Sequence, residues 1–386
     1  MKIYTQTWFK GYNYGTVLQA YALSEYISSL GYDCSILGYR PNAAEQWRLK
    51  LINRNIIATI RYKINEAAMK KNKTGLDNST NNYECFEKFR KECMRISPEC
   101  TSVKKIEEVC GSDSIFICGS DQIWNPYMYN PCYYLEFVKD PNRKIAYAPS
   151  FGVSEIPNYN RKRVRNALSS FKHISLREKR GTEIVKELIG KKAVVTVDPT
   201  LLLTDEQWLS LSKSQEAASD EPPYIFCYFL SENQRYFQIA HELADKFGLN
   251  IRMLPMVAED YKKKETIKEA VGPKEWINLI RGASFVLTDS FHCTLFALRF
   301  HKSFYTLQRF SENDKKGQNA RITNLFSLTG FSDRLLLPKE TEKEYSTIAS
   351  ERFEHSDAQL KKETDTSKKW LESCLNECKS FLEGNK

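Results

Sequence analysis

The sequence predicts an α/β protein made of two Rossmann-like domains and a C-terminal helical tail. The chain opens with an apolar strand, a glycine-containing loop and an amphipathic helix, which together start a βαβ unit and indicate a parallel sheet. Short apolar segments then alternate with helical segments along most of the chain. Because 386 residues exceed what one ordinary core holds, we expect two domains.

The first domain is predicted over residues 1–212. Its first strand, KIYTQT, precedes the loop WFKGYNYGT, an amphipathic helix and a second strand, DCSILGY. Four later apolar segments are predicted to continue the same sheet: SIFICG (114–119), KIAYAPS (144–150), HISLRE (173–178) and AVVTVDP (193–199). The polar segment KSQEAASDEPP (213–223) ends in two prolines and predicts a linker.

The second domain is predicted over residues 222–337 and the helical tail over residues 338–386. The apolar segments YIFCYFL, NIRMLP, SFVLTD and SFYTLQ are predicted strands, and helical segments separate them. In the first of these helices, SENQRYFQIAHELADKFG, we expect Ser231 to be the N-cap and Gly248 to end the helix.

Composition narrows the class of ligand without choosing one. The chain carries 57 basic and 48 acidic residues, and its net charge of +9 suits phosphorylated ligands, an anionic membrane surface or nucleic acid. No apolar run approaches the ~20 residues needed to span a bilayer. The odd number of cysteines, eleven, and the lack of a signal-peptide pattern after Met1 predict free thiols and a cytoplasmic location.

Ligands of parallel sheets bind beyond the carboxyl ends of the strands, and two candidate segments lie in the first half of the chain. GYNYGTVLQ offers Asn13 and Gly15 in a tight turn, although a plain turn with a helix cap explains it equally well. CGSDQIWNP suits recognition of sugar hydroxyls and a sugar ring face, and a simple Asx-turn beside a half-buried tryptophan is the alternative. Its candidates are Ser120, Asp121, Gln122, Trp124 and Asn125.

Two further candidate segments carry cationic or titratable groups. In ISLREKRG the guanidinium of Arg177 can bind a carboxylate or phosphate, or can instead pair with Glu178. In TDSFHCTLFAL, Asp289 and Ser290 are N-cap candidates, which places His292 in the first turn of a helix. An anionic ligand there would keep the imidazole protonated and able to donate a proton, whereas a neutral, packed histidine is the alternative.

The segment WRLKLINRNIIATIRYKINEAAMKKNK (47–73) contains eight basic residues and one acidic residue, with apolar residues at helical spacing. This pattern is typical of a helix on an anionic membrane surface, or of a basic helix packed on its own domain. We therefore expect a peripheral membrane contact through residues 47–73 as one possible role.

Six segments occur in a fixed order over residues 1–335: NYGTVLQAYAL, GSDQIWNP, KIAYAPSFG, ISLREKRG, VDPTLLL and DSFHCTLFAL. Together they resemble the polysaccharide pyruvyl transferase family. The resemblance implies a GT-B-like pair of Rossmann-like domains facing a cleft, with the acceptor on the first domain and the donor on the second. It implies transfer of the pyruvyl group of phosphoenolpyruvate to a sugar as a ketal, with no metal and no cofactor. The implied acceptor is a lipid-linked precursor of a cell-surface polysaccharide at the inner face of the membrane.

The resemblance also implies residue roles. His292 would be the general acid or a phosphate ligand, Arg177 would bind the donor's carboxylate or phosphate, and Asp121 would bind the acceptor or act as a base. The implied acceptor-binding residues are Asn13, Gly15, Ser120, Asp121, Gln122, Trp124 and Asn125.

The implied donor site departs from the family's pattern in one place. Members of the family often carry an arginine just before the histidine, whereas Ser290 and Phe291 precede His292 here. Phosphate would then be bound by backbone N–H groups at the helix start, which Asp289 and Ser290 cap, or by another cation. The candidate cations are Arg281, Lys302 and Lys315.

Two other functions fit parts of the sequence. A GT-B glycosyltransferase that uses a nucleotide sugar would also bind phosphate at helix N-termini. A non-catalytic protein that binds anions or nucleic acid would use the basic surface, although the sequence contains no helix-turn-helix or zinc-finger pattern.

Overall fold

The computed structural model describes residues 1–53, 78–212, 222–256, 258–309, 320–337 and 344–384. The chain forms two compact units, one made of Met1–Leu203 with Thr364–Lys386 and the other of Thr204–Glu363. Each unit is built on a parallel sheet with helices packed on it, so the predicted α/β fold with two Rossmann-like units is confirmed.

The described part of the first unit has a six-stranded parallel sheet in the order β2-β1-β3-β4-β5-β6. The central strands pair in a register that places Ile3 beside Cys34 on one side and beside Ile115 on the other. The strands are β1 (Lys2–Gln6), β2 (Asp33–Ile36), β3 (Ile115–Cys118), β4 (Lys144–Ala146), β5 (His173–Leu176) and β6 (Val194–Val195).

Local signals mark the start of α1 and the end of α6 in this unit. α1 starts after Asn13, whose side-chain oxygen accepts a hydrogen bond from the backbone N–H of Thr16. α6 ends at Gly190, whose φ of 69° lies in the left-handed region that glycine adopts without strain. The helices are α1 (Tyr14–Ser29), α2 (Ala43–Ile52), α3 (Asn78–Cys93), α4 (Val103–Cys110), α5 (Asn158–Ser169) and α6 (Lys179–Ile189).

Trp124 lies in the core of the first unit, which corrects its predicted role in acceptor binding. The side chain is fully buried, and its ring stacks on Tyr134 with centroids 5.1 Å apart. The indole N–H donates to the carbonyl oxygen of Tyr133, which satisfies its one polar group inside the protein. Because no part of the ring reaches solvent, Trp124 stabilises the loop after β3 and presents no surface to a sugar.

The second unit contains, within its described residues, a five-stranded parallel sheet in the order β11-β10-β9-β7-β8. Its strands are β7 (Tyr224–Tyr228), β8 (Asn250–Leu254), β9 (Phe285–Thr288), β10 (Ser303–Leu307) and β11 (Leu335–Leu336). Its helices are α7 (Asp205–Ser212), α8 (Gln234–Phe247), α9 (Pro273–Gly282), α10 (Phe291–Arg299) and α11 (Ala320–Thr329). A final helix, α12 (Ser350–Gly384), begins in this unit and ends in the first.

The observed division differs from the predicted boundaries in two places. α7 belongs to the second unit, because the buried ring of Trp208 packs edge-on against Phe296 at 5.0 Å. The predicted tail is shared between the two units and is not a separate domain. Residues 213–221 of the predicted linker lie outside the described residues.

Two local details also differ from the sequence-based expectation. The N-cap of α8 is Asn233, whose side chain accepts from the backbone N–H of Arg235, and not Ser231. β11 was not predicted, because a two-residue strand carries no periodic signal.

Gly248 ends α8 in the left-handed conformation, as predicted. Among the described helices, none is both long and apolar enough to span a membrane.

The burial of Trp124 makes a testable prediction about stability. Replacing Trp124 with alanine should lower the free energy of unfolding by about 3–5 kcal/mol, because it leaves a cavity in the core. Trp47, which is 55% exposed, is the matched control, and its replacement with alanine should change the value by less than about 0.5 kcal/mol. Urea denaturation followed by circular dichroism measures both, and equal effects would contradict the core assignment.

Candidate functional site

The loop after β3 places Asp121 at the carboxyl edge of the first sheet. Gly119 has a φ of 126°, and a Cβ there would collide with the carbonyl of Tyr147, so the close approach of this loop requires glycine. Asp121 itself has a φ of 65°. Its Oδ2 accepts from the hydroxyl of Thr16 at 2.7 Å, which ties the loop to the first turn of α1.

Arg177, which directly follows β5, links two carboxylates at the same edge. Its Nη1 lies 2.6 Å from Oδ2 of Asp198, and its Nη2 lies 3.5 Å from Oδ1 of Asp121. Burial acts to lower the pKa of the Arg177 guanidinium, but Asp198 and Asp121 outweigh it and raise that pKa above its ordinary value. Asp198 is fixed in turn, since its Oδ1 accepts from the backbone N–H and the hydroxyl of Thr200.

This geometry favours a positioning role for Arg177 over the predicted role in binding the donor. The side chain of Arg177 is only 3% exposed, and two carboxylates already lie against it. An anionic ligand would be a third anion at Arg177 and would have to compete with both carboxylates in a buried environment. Arg177 therefore holds Asp121 in a fixed orientation.

The remaining predicted acceptor residues mostly shape the backbone around Asp121. Asn13 caps α1, and Asn125 caps the short 3₁₀ helix Pro126–Met128, each through its side-chain oxygen. The hydroxyl of Ser120 donates to a backbone carbonyl of the neighbouring segment at 2.8 Å. Gly15 is buried in the first turn of α1, and the side chain of Gln122 is largely buried. Of the predicted acceptor residues, Asp121 is the one whose chemistry best suits contact with a substrate hydroxyl.

At the carboxyl edge of the second sheet, the chain passes from β9 directly into α10. Ser290 is the N-cap of α10, and its hydroxyl accepts from the backbone N–H of Cys293 at 3.4 Å. His292 is the second residue of the helix and is 6% exposed, with its ring edge-on to that of Phe291 at 5.3 Å. The helix therefore presents its N-terminal turn and an imidazole at the edge where ligands of α/β sheets bind.

Asp289 does not cap α10, contrary to the prediction. Its Oδ1 accepts from the backbone N–H of Leu230 at 2.6 Å, and its Oδ2 accepts from the hydroxyl of Ser231. Burial raises the pKa of the Asp289 carboxyl above its ordinary value, although these hydrogen bonds oppose the rise. Asp289 thus joins the ends of β9 and β7, and it also lies 3.7 Å from Nε of Arg309.

Two of the predicted phosphate ligands lie at the wrong edge of the second sheet. Arg281 is in the last turn of α9, which leads into β9, and Lys302 immediately precedes β10. Both therefore lie at the amino ends of the strands, whereas His292 follows the carboxyl end of β9. They cannot share a ligand with His292, because the sheet separates them. Lys315 lies outside the described residues.

Two arginines that the sequence reasoning missed lie at the same edge as His292. Arg309 follows β10 and approaches Asp289, and the guanidinium of Arg321, in α11, lies 5.6 Å from the ring centroid of Phe291. The position of Arg309 just after a predicted strand was a signal that could have found it. No sequence pattern predicts that Arg321 lies next to Phe291, since that contact depends on how α11 packs.

Three residues of the first edge were also missed as site residues. Asp198 lies at the end of the predicted strand AVVTVDP, so the same rule could have found it. Thr16 lies in the predicted turn, but only Asn13 and Gly15 of that turn were selected as acceptor-binding residues. Gln19, whose side-chain amide bridges the backbone of Trp8 and Ser120, lies inside α1, where no sequence pattern distinguishes it.

Comparison with known proteins identifies one family. The sequence model of the polysaccharide pyruvyl transferase family matches residues 13–309. No curated protein sequence matches the chain significantly.

Several solved structures are similar to this chain over most of its length. A UDP-GlcNAc 2-epimerase from Neisseria meningitidis, bound to UDP-GlcNAc, has a TM-score of 0.46 and 9% identity, covering 96% of this chain and 94% of its own. A putative UDP-N-acetylglucosamine 2-epimerase from Listeria monocytogenes has a TM-score of 0.47 and 10% identity, covering 95% and 90%. The E. coli heptosyltransferase WaaC with ADP has a TM-score of 0.39 and 10% identity, covering 87% and 92%.

The buried pair of Arg177 and Asp198 makes a second prediction. Replacing Asp198 with asparagine should lower the free energy of unfolding by about 3–5 kcal/mol, because it removes the closest compensating charge of a buried guanidinium. The exposed pair of Arg180 and Glu183 is the control, and replacing Glu183 with glutamine should cost less than about 1 kcal/mol. Equilibrium urea denaturation compares the two variants, and a small effect of D198N would rule out a structural role for the pair.

Proposed function

Because the chain belongs to the polysaccharide pyruvyl transferase family, we propose that it transfers the pyruvyl group of phosphoenolpyruvate to a sugar as a pyruvate ketal. The observation that carries this proposal is the carboxyl edge of the second sheet, where His292, Arg309 and Arg321 lie around the N-terminus of α10. Phosphoenolpyruvate carries a phosphate and a carboxylate, and such a cationic edge suits both groups.

The reaction sets clear chemical requirements. Two hydroxyl oxygens of the sugar form bonds to C2 of the enolpyruvyl unit, and the methylene carbon C3 gains a proton to become a methyl group. The bond from C2 to the phosphate oxygen breaks, and inorganic phosphate leaves with the second hydroxyl proton. The protein must therefore supply a proton donor, a base for the attacking hydroxyl and cations for the departing phosphate.

We assign the donor to the second unit. The backbone N–H groups at the start of α10 point toward the carboxyl edge, where the helix dipole favours an anion. Arg309 and Arg321 supply the guanidinium groups, which replace Arg281 and Lys302 in this assignment. His292 lies in the first turn of α10, next to that anion site, and we assign it as the proton donor to C3.

We assign the acceptor to the first unit, with Asp121 as the base. Its carboxylate is held by the hydroxyl of Thr16 and by Arg177, so it is oriented without depending on the substrate. A carboxylate at this place can accept the proton of a sugar hydroxyl as the hydroxyl oxygen attacks C2.

Two exposed tyrosines of the first unit, one of them in the loop that leads into α1, supply the exposed aromatic surface that Trp124 does not. Tyr12 and Tyr83 are 47% and 46% exposed, with ring centroids 5.0 Å apart. Tyr12 lies in the loop between β1 and α1, four residues before Thr16, whose hydroxyl contacts Asp121. Arg90 holds this loop by donating to the carbonyl oxygens of Phe9 and Gly11. A sugar ring stacking on these rings would extend the acceptor site beyond Asp121.

The family also supports a class of acceptor. A pyruvate ketal places a carboxylate on a sugar, and the family's name refers to polysaccharides. We therefore propose that the acceptor is a lipid-linked precursor of a cell-surface polysaccharide, modified at the cytoplasmic face of the membrane.

The direct test of the function is mass spectrometry of a lipid-linked oligosaccharide after incubation with the protein and phosphoenolpyruvate. The expected result is a mass gain that matches one pyruvate ketal, with release of inorganic phosphate. Protection against thermal unfolding by phosphoenolpyruvate but not by nucleotide sugars would support the donor. The reverse pattern would identify a nucleotide-sugar glycosyltransferase instead.

The donor assignment predicts a contrast between two arginines of the second unit. Replacing Arg309 with glutamine should raise KM for phosphoenolpyruvate by at least about tenfold, because a charged hydrogen bond to the anion is lost. Replacing Arg281 with glutamine removes the same charge at the amino edge and should leave KM unchanged. Steady-state phosphate release measures both constants, and a matching rise in R281Q would refute the assignment.

The role of His292 as the proton donor predicts a different kinetic signature. Replacing it with glutamine should lower kcat by about 10²- to 10⁴-fold, the usual contribution of a general acid, with little change in KM. The variant should also lose the part of the pH–rate profile that reports a protonated imidazole. If kcat falls while the pH profile keeps its shape, His292 serves packing and not proton transfer.

A further inference from the structure

A cavity of about 380 Å³ in the first unit belongs to neither candidate edge described above. It lies between α2, the segment that connects β3 to β4, and α5, and none of Thr16, Asp121, Arg177 and Asp198 lines it. Four basic side chains and one acidic side chain line it, Arg48, Lys139, Lys144, Arg163 and Glu136. This excess of positive charge favours an anion.

Lys144 carries a buried ammonium group at this cavity. The residue is 1% exposed, and its Nζ donates to the carbonyl oxygen of Val138 at 2.9 Å and to the hydroxyl of Ser170 at 2.8 Å. An ammonium group has three N–H donors, of which these two oxygen atoms use two, and Nζ also lies 5.0 Å from the ring centroid of Phe171. Burial also lowers the pKa of Lys144 to about 8, which indicates a charge that a bound anion would stabilise.

The rim of the cavity supplies groups that suit phosphate. Arg163 and Arg48 are exposed, and a guanidinium can bind two oxygens of one phosphate group. The single carboxylate, Glu136, is engaged by the hydroxyl of Tyr129. A phosphate group entering the cavity therefore meets cations at the rim and at the base.

The helix beside the cavity is unusual in its exposure. None of the ten residues of α2 is buried, and Trp47 and Leu51, one turn apart, are 55% and 60% exposed. Lys50 lies on the same helix, with its Nζ 5.1 Å from the ring centroid of Trp47. Tryptophan and leucine flanked by basic residues are typical of helices that lie at the surface of an anionic bilayer. Of the predicted membrane segment 47–73, only residues 47–53 are described.

We propose that the first unit binds an anionic membrane phospholipid, with the lipid phosphate in this cavity and α2 at the bilayer surface. Two features favour this one occupant, since the cavity is lined by cations that suit a phosphate and α2 adds exposed apolar side chains next to it. The cavity and α2 are adjacent, because Arg48 and Ile52 belong to α2 and also line the cavity. The proposal does not depend on pyruvyl transfer, because it uses no residue of either proposed substrate site.

Vesicle co-sedimentation of the full chain tests the proposal. The protein should bind vesicles of phosphatidylcholine mixed with phosphatidylglycerol and should not bind phosphatidylcholine alone. Replacing Arg163 with glutamine should weaken binding by at least about tenfold through the loss of charged hydrogen bonds to phosphate. Replacing Trp47 with serine should weaken it as well, through the loss of the apolar contact.

A charge-matched control separates a built site from general attraction. Arg161 is exposed on α5 two residues before Arg163 and does not line the cavity, so R161Q removes the same charge from a different face of the helix. R161Q should bind vesicles like the unaltered protein. Equal weakening in R161Q and R163Q would mean non-specific attraction and would overturn the proposal. Thermal unfolding of each variant confirms that it is folded.

A second measurement distinguishes a lipid phosphate from a free phosphate. Calorimetric titration with inorganic pyrophosphate, in the R309Q background to remove the proposed donor site, reports whether the cavity binds a soluble anion. Pyrophosphate that binds through Arg163 and competes with vesicles supports the proposal. Pyrophosphate binding without any vesicle binding would show a site for a free anion and would overturn the assignment to lipid.

Discussion

The ion pairs of Arg177 are the interaction on which the carboxyl edge of the first sheet depends. One guanidinium joins the segment after β5 to Asp198 after β6 and to Asp121 after β3, and Asp121 in turn contacts Thr16 of α1. Burying a guanidinium costs free energy unless nearby negative charge compensates it. Moving either carboxylate away would therefore be unfavourable, and both keep their positions. Four separate segments therefore keep one arrangement, and Asp121 is oriented before any substrate arrives.

Much of the fold could be predicted because parallel sheets leave a strong sequence signal. Strands such as β3 and β9 are buried on both faces and read as short apolar runs, and the helices between them carry an amphipathic pattern. Caps were less predictable, since Ser231 and Asn233 are both good capping residues and packing decides between them. The assignment of α7 to the second unit likewise depends on the contact of Trp208 with Phe296, which sequence alone does not specify.

The sequence predicted at which strand ends the candidate residues lie, but it did not predict which side chains contact one another there. The rule that ligands bind at the carboxyl ends selects Asp121 and His292, which the structure places at those ends, and applied strictly it also selects Asp198 and Arg309. Arg281 and Lys302 were chosen for their charge, and they lie at the opposite edge because they precede their strands. Trp124 follows a strand and still enters the core, because its ring packs against Tyr134, Phe151 and Phe171. Whether a side chain that follows a strand enters the core or faces solvent depends on tertiary packing, which the local sequence does not specify.

The charges at the two carboxyl edges differ in a way that matches the two proposed substrates. In the described part of the first edge, Arg177 is outnumbered by Asp121 and Asp198, so that edge offers hydrogen-bond acceptors and little affinity for an anion. At the second edge, Arg309 and Arg321 accompany a helix N-terminus, with Asp289 as the nearby carboxylate. A neutral polyol suits the first arrangement and a phosphorylated acid suits the second, because each edge would repel or fail to hold the other ligand. The difference in charge, more than any single residue, therefore supports assigning acceptor and donor to different units.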